Sequence, residues 1–61
     1  MKVTIYTADG DSVTVKQFDR GSIMDMLQAW QEEDPAVLPV AIDTDSIIYF
    51  AKRHIVRIDV D

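Results

Sequence analysis

Few side chains in this chain could do chemistry at neutral pH, and they are scattered. His54 is the one histidine, and so the one side chain whose ordinary pKa lies near neutrality. Ser12, Ser22 and Ser46 each stand in a turn or cap context. A hydroxyl nucleophile needs a base within hydrogen-bond reach and a third group to orient that base. No spacing here draws a serine, His54 and a carboxylate together. Cysteine is absent, which removes thiolate nucleophiles, thiolate zinc sites and disulfides at once. Asp9-Gly10-Asp11 and Asp43-Thr44-Asp45 look like pieces of oxygen-ligand loops. A helix-loop-helix calcium site needs a twelve-residue frame closed by a bidentate glutamate, and neither segment has one. Both read as turns. Gly10 and Gly21 lie too far apart to form a phosphate-cradling loop. The sequence therefore assigns no catalytic residue, no cofactor and no metal, and the expectation is a protein that is not an enzyme.

Charge points to contact more than to reaction. Eleven acids face six bases, for a formal net charge of −5. The acids are spread along the chain. The bases are not: Lys52, Arg53 and Arg57 are half of them, and His54 sits among them. They interrupt a run dense in β-branched and aromatic residues, from Ile47 to Val60. Tyr49 and Phe50 are adjacent in that run, so in a strand they point to opposite faces. With Phe50 inside, Tyr49 is outside and shares its face with Ile47, which makes a candidate dimer patch. The expected partner-binding residues are therefore Ile47, Tyr49, Lys52, Arg53, His54 and Arg57.

The elements that must position these groups follow from periodicity and turn chemistry. Lys2 to Thr7 alternates as a strand. Ala8-Asp9-Gly10-Asp11 is a tight hairpin turn, because glycine takes positive φ without steric cost. Ser12 to Phe18 returns as the second strand. Ser22 is the expected helix N-cap, with Asp25 approximating a capping box. Ile23, Met26, Leu27 and Trp30 fall at i, i+3, i+4 and i+7 and form one apolar face. Leu27 is the expected central contact to the sheet, and Trp30 reads as core. Pro35 disfavours helical geometry before it, which places the helix end near Asp34. Glu32-Glu33-Asp34 at that end opposes the helix dipole. Val37 to Ile42 is apolar but contains Pro39, so it is an edge strand or a strand beginning at Val40. Asp43 to Ser46 is a polar turn, and Ser46 to Ala51 is a strand. A single alternation through residue 60 would put Lys52 and His54 on the face of Ile48 and Phe50. A break at Lys52-Arg53 avoids this, and a hairpin there is favoured over one bent strand.

The result is an α+β domain in the order β-β-α-β-β-β. One amphipathic helix covers one face of an antiparallel sheet of four to five strands. A chain of 61 residues makes one domain with a thin core and no covalent or metal staple, which favours self-association. No stretch has the apolar length of a signal peptide core or a membrane span. The expectation is a cytoplasmic protein without membrane contact.

Lys52-Arg53-His54-Ile55-Val56-Arg57-Ile58 resembles the second strand motif of bacterial Sm-like RNA-binding proteins, where a Lys-His pair precedes an apolar strand. The resemblance covers these seven residues. That family carries its helix at the N-terminus and builds its uridine pocket between the subunits of a ring, whereas here the helix lies mid-chain. What the motif implies is an oligomeric nucleic-acid binder using Lys52, Arg53, His54 and Arg57. Net charge works against it, since phosphate is repelled at long range. The leading expectation is a non-catalytic protein-interaction module that associates with itself or with an unidentified protein partner, in a bacterial or mobile-element setting. That setting rests on small size and acidity. Between these two stands an acidic inhibitor of a nucleic-acid-binding protein.

Overall fold

The computed structural model describes residues 1–16, 18–43 and 45–61. Five strands and one helix run in the expected order: β1 (Val3–Thr7), β2 (Ser12–Val15), α1 (Arg20–Gln31), β3 (Val37–Ala41), β4 (Ile47–Ala51) and β5 (Ile55–Val60). All pairing is antiparallel. The strands divide between a three-stranded sheet, β2-β1-β5, and a two-stranded sheet, β3-β4. Both sheets and the helix close on one core, in which Val3, Ile5, Leu38 and Val40 are almost wholly buried. The fold is α+β.

The first hairpin forms where the turn chemistry places it. Gly10 has φ 92°, a conformation that a β-carbon would strain. Thr7 N–H donates to Asp11 O at 2.9 Å, and Gly10 N–H donates to Thr7 O at 3.0 Å. Val3 then faces Val15, and Ile5 faces Val13. β2 ends at Val15, earlier than the alternation suggests. Gln17, within the expected strand, lies outside the described residues.

The helix is capped three residues before the expected position. Asp19 is the N-cap, extended at φ −69°, ψ 140°, and its carboxylate accepts from Ser22 N–H at 3.3 Å. Aspartate caps as well as serine does. Gly21 in the first turn keeps this geometry open, because a β-carbon there would sit 3.2 Å from the Asp19 carboxylate. Ile23 and Met26 are buried, while Leu27 and Trp30 are half-buried beside them. Met26, not Leu27, is therefore the deeper contact. The helix runs alongside β3.

The helix ends at Gln31, earlier than Asp34. Glu32 is already extended at φ −84°, ψ 143°, with its N–H bound to Ala29 O. Its carbonyl accepts from the Lys52 ammonium at 3.1 Å. A cation thus sits where the dipole wants one, and it offsets the acidic run that the sequence places there. Lys52 N–H also donates to Ala36 O at 2.9 Å.

β3 includes Pro39 and runs as an edge strand. It pairs with β4 in a hairpin whose turn is fastened by Asp45 N–H donating to Asp43 Oδ1 at 2.8 Å. Thr44, in this turn, lies outside the described residues.

The expected hairpin at Lys52-Arg53 is corrected by the pairing. The chain does break there, in one turn of 3₁₀ helix over Lys52–His54. The flanking strands do not pair with each other, because β4 lies on β3 and β5 lies on β1. The segment is neither a hairpin nor a bent strand but a crossing from one sheet to the other. A bulge follows at once. Arg57 faces Tyr6 and Ile55 faces Thr7, so Val56 has no opposite number. The extra residue resets the alternation, and Ile55 and Ile58 both turn toward the core.

Candidate functional site

The outward residues of the two-stranded sheet form the candidate site. Leu38, Val40, Ile48 and Phe50 turn inward. Successive side chains alternate between faces, so Val37, Pro39 and Ala41 of β3 and Ile47, Tyr49 and Ala51 of β4 turn outward. Cross-strand neighbours there are Val37 with Ala51, Pro39 with Tyr49, and Ala41 with Ile47. None of the six carries a charge. Tyr49 is 68% exposed, Ile47 55% and Val37 42%. An apolar sheet face in water loses the burial that drives folding, about 25 cal/mol per Å².

The backbone of β4 adds a second feature. Lys52 N–H bonds to Ala36 O, and Ile42 N–H bonds to Ser46 O. These contacts set the ladder phase: the even-numbered residues of β3 and β4 face each other's backbone, and the odd-numbered ones face away. Pro39 therefore aims its missing donor outward, where nothing is lost. On β4 the outward groups are the N–H and C=O of Ile47, Tyr49 and Ala51. Among the described residues no strand pairs with this edge. The Ala51 carbonyl, as the cap of the 3₁₀ turn, already takes that turn's first bond, while Ile47 and Tyr49 have no further backbone bond to described residues.

A groove of about 580 Å³ continues the face at the end where α1 stops. Its lining combines the apolar Trp30, Ala36, Val37 and Ala51 with the charged Lys52, Arg53, Glu32 and Glu33.

The expected basic cluster is divided by the fold. Lys52, Arg53 and His54 share the 3₁₀ turn. Lys52 is engaged with Glu32, while Arg53 and His54 are exposed. Arg57 lies on β5, on the outer face of the other sheet. Its guanidinium stacks 4.3 Å from the Tyr6 ring centroid and pairs with Asp59 at 3.0 Å. The bond to Asp59, then that to Tyr6, raises its pKa and holds it charged. The structure thus groups Ile47 with Tyr49, and Lys52 with Arg53 and His54, and sets Arg57 apart. Sequence reading missed Val37, Pro39 and Ala41. Alternation about Pro39 could have supplied them, since Leu38 and Val40 are the natural inward pair.

Among the described residues there is no cluster of three or more His, Cys, Asp or Glu side chains able to hold a metal. No buried polar side-chain atom lacks a partner among them. No described helix is long and apolar enough to cross a membrane. Comparison with protein families, with curated proteins and with solved structures gives no match.

Proposed function

We propose that this chain is a non-catalytic protein-interaction module that works by self-association, with the β3-β4 sheet as its contact surface. The observation that carries this reading is the uncharged outer face of that sheet, centred on Tyr49 and Ile47, in a chain otherwise rich in charge. Interfaces favour such a composition at their centre: aromatic residues are enriched and charges depleted. The chain's small size adds support, because a second copy supplies burial that 61 residues achieve poorly alone. A nucleic-acid reading has less support, since Arg57 is engaged by Tyr6 and Asp59 on the other sheet.

Light scattering at micromolar concentration tests the proposal. The expected mass is at least twice the 6.9 kDa of one chain. Tyr49→Glu should return it to one chain with its circular dichroism intact. Thr14→Glu, on the exposed outer side of the other sheet, should leave it unchanged. A wild-type mass of one chain across this range would end the self-association reading.

A further inference from the structure

We infer that two copies join edge to edge through β4, antiparallel about a two-fold axis at Tyr49, to make one four-stranded sheet in the order β3-β4-β4-β3. The inference rests on the self-association reading above and specifies its geometry.

Two sheets present four outer edges, and three of them resist pairing. β3 carries Pro39, which cannot donate. β5 carries the Val56 bulge and the charged Arg57 and Asp59. β2 is four residues long, polar at Ser12 and Thr14, and followed by Lys16. Short strands, bulges, prolines and charges are the devices that keep edges from pairing. β4, with the sequence Ile-Ile-Tyr-Phe-Ala, has none of them. An edge of this kind is a template for another strand.

The register follows from the phase. The outward backbone groups belong to Ile47, Tyr49 and Ala51. Antiparallel pairing of Tyr49 with Tyr49 of the second copy sets Ile47 opposite Ala51 and engages all three residues on both sides, the Ala51 carbonyl through the lone pair that its 3₁₀ turn leaves open. Any shift leaves at least one of them hanging. The same register brings opposite charges together. The 3₁₀ turn that follows β4 in one copy, with Lys52 and Arg53, comes to the hairpin-turn end of the other, with Asp43 and Asp45, and the match occurs at both ends. A parallel arrangement would set Arg53 beside Arg53 and Asp45 beside Asp45. The contact is isologous, so it closes at two copies. The two uncharged outer faces then merge into one, with Tyr49 beside Tyr49 at its centre.

The chain has no cysteine, so single introduced thiols report the geometry. Opposed residues in a hydrogen-bonded antiparallel pair have Cα atoms about 5.5 Å apart, within the roughly 4.4–6.8 Å that a disulfide spans. Tyr49→Cys should therefore cross-link to a dimer under mild oxidation. Ala41→Cys, on the same face but three strand spacings of about 4.8 Å from its mate, should not. Arg53→Glu should weaken dimerisation about tenfold through two lost exposed pairs, and adding Asp45→Arg should restore it. If the wild type is dimeric while Tyr49→Cys stays reduced, or the charge swap fails to rescue, edge pairing is wrong and self-association through the face stands. If the wild type is monomeric, both fall together.

Discussion

On the outer face of the three-stranded sheet, polar side chains have found neighbours. Thr4 and Thr14 hydroxyls meet at 3.2 Å. Arg57 lies over Tyr6 and reaches Asp59. Lys2 and Asp61 come within 3.5 Å at the far end. On the outer face of the two-stranded sheet there are no such pairs to make, because its six side chains are Val, Pro, Ala, Ile, Tyr and Ala. Each exposed ion pair on the first face is worth little, about 0–1 kcal/mol, yet together they leave that face content in water. The second face gains only by being covered. Two sheets over one core thus meet water differently, and the difference is written in the odd-numbered residues of β3 and β4.

If the sheets differ only on their outer faces, their inner faces should matter equally. Ile5→Ala under the three-stranded sheet and Leu38→Ala under the two-stranded sheet should each cost about 2–5 kcal/mol, since both residues are essentially fully buried. Urea titration of the two variants measures this. A small loss for Leu38→Ala alone would mean that the β3-β4 hairpin is an appendage and not part of the folding unit. The comparison would then have to be redrawn as core against flap.

A smaller effect tests how the two-stranded sheet is tied to the helix. Lys52 donates through its side chain to Glu32 O and through its backbone to Ala36 O. Lys52→Met keeps the backbone bond and much of the apolar stem, and removes the cation from the helix end. The expected loss is about 1 kcal/mol, diminished by salt, read from thermal melts at low and high ionic strength. No loss would mean that the acidic run Glu32-Glu33-Asp34 is tolerated without a counter-charge.

The fold was legible where local chemistry and periodicity agree. Asp9-Gly10 announces its hairpin, Ile23 and Met26 announce the helix face, and the outward placement of Ile47 and Tyr49 follows from alternation about Phe50. Three features were not legible because they depend on partners distant in sequence. Asp19 and Ser22 are both good caps, and only the packed position of Ile23 decides between them. The Lys52-Arg53 break is local, but whether β5 returns to β4 or crosses to β1 depends on Val3, Ile5 and their register with Ile58 and Val60. The scattering of Lys52 and Arg57 onto different surfaces follows from that crossing and from the bulge at Val56. Charges adjacent in sequence read as a cluster until the strand pairing is known.

The smallest prediction concerns the turns that close the two hairpins. In each, an aspartate side chain accepts the backbone N–H two residues on: Asp9 from Asp11 at 3.3 Å, and Asp43 from Asp45 at 2.8 Å. Asp9 has an additional donor, the Thr7 hydroxyl. That bond first, and the Asp11 N–H next, hold its carboxyl below the usual aspartate range. A carboxyl whose pKa is lower in the folded than in the unfolded chain stabilises the fold above the unfolded value of about 3.9, and the contribution fades as pH falls through the folded value. Asp9→Asn keeps the acceptor oxygen for the turn and cannot titrate. The stability difference between wild type and Asp9→Asn should therefore be flat from pH 7 down to about pH 4 and shrink below it. Because the carboxylate is exposed, the whole effect should be slight. Guanidinium titrations at stepped pH measure it, with Thr7→Val as the companion variant. That substitution removes the hydroxyl donor, so most of the pH dependence should go with it. If Thr7→Val keeps the full wild-type pH profile, the Asp11 backbone and not the Thr7 hydroxyl sets the carboxylate's acidity, and the first turn is then built like the second.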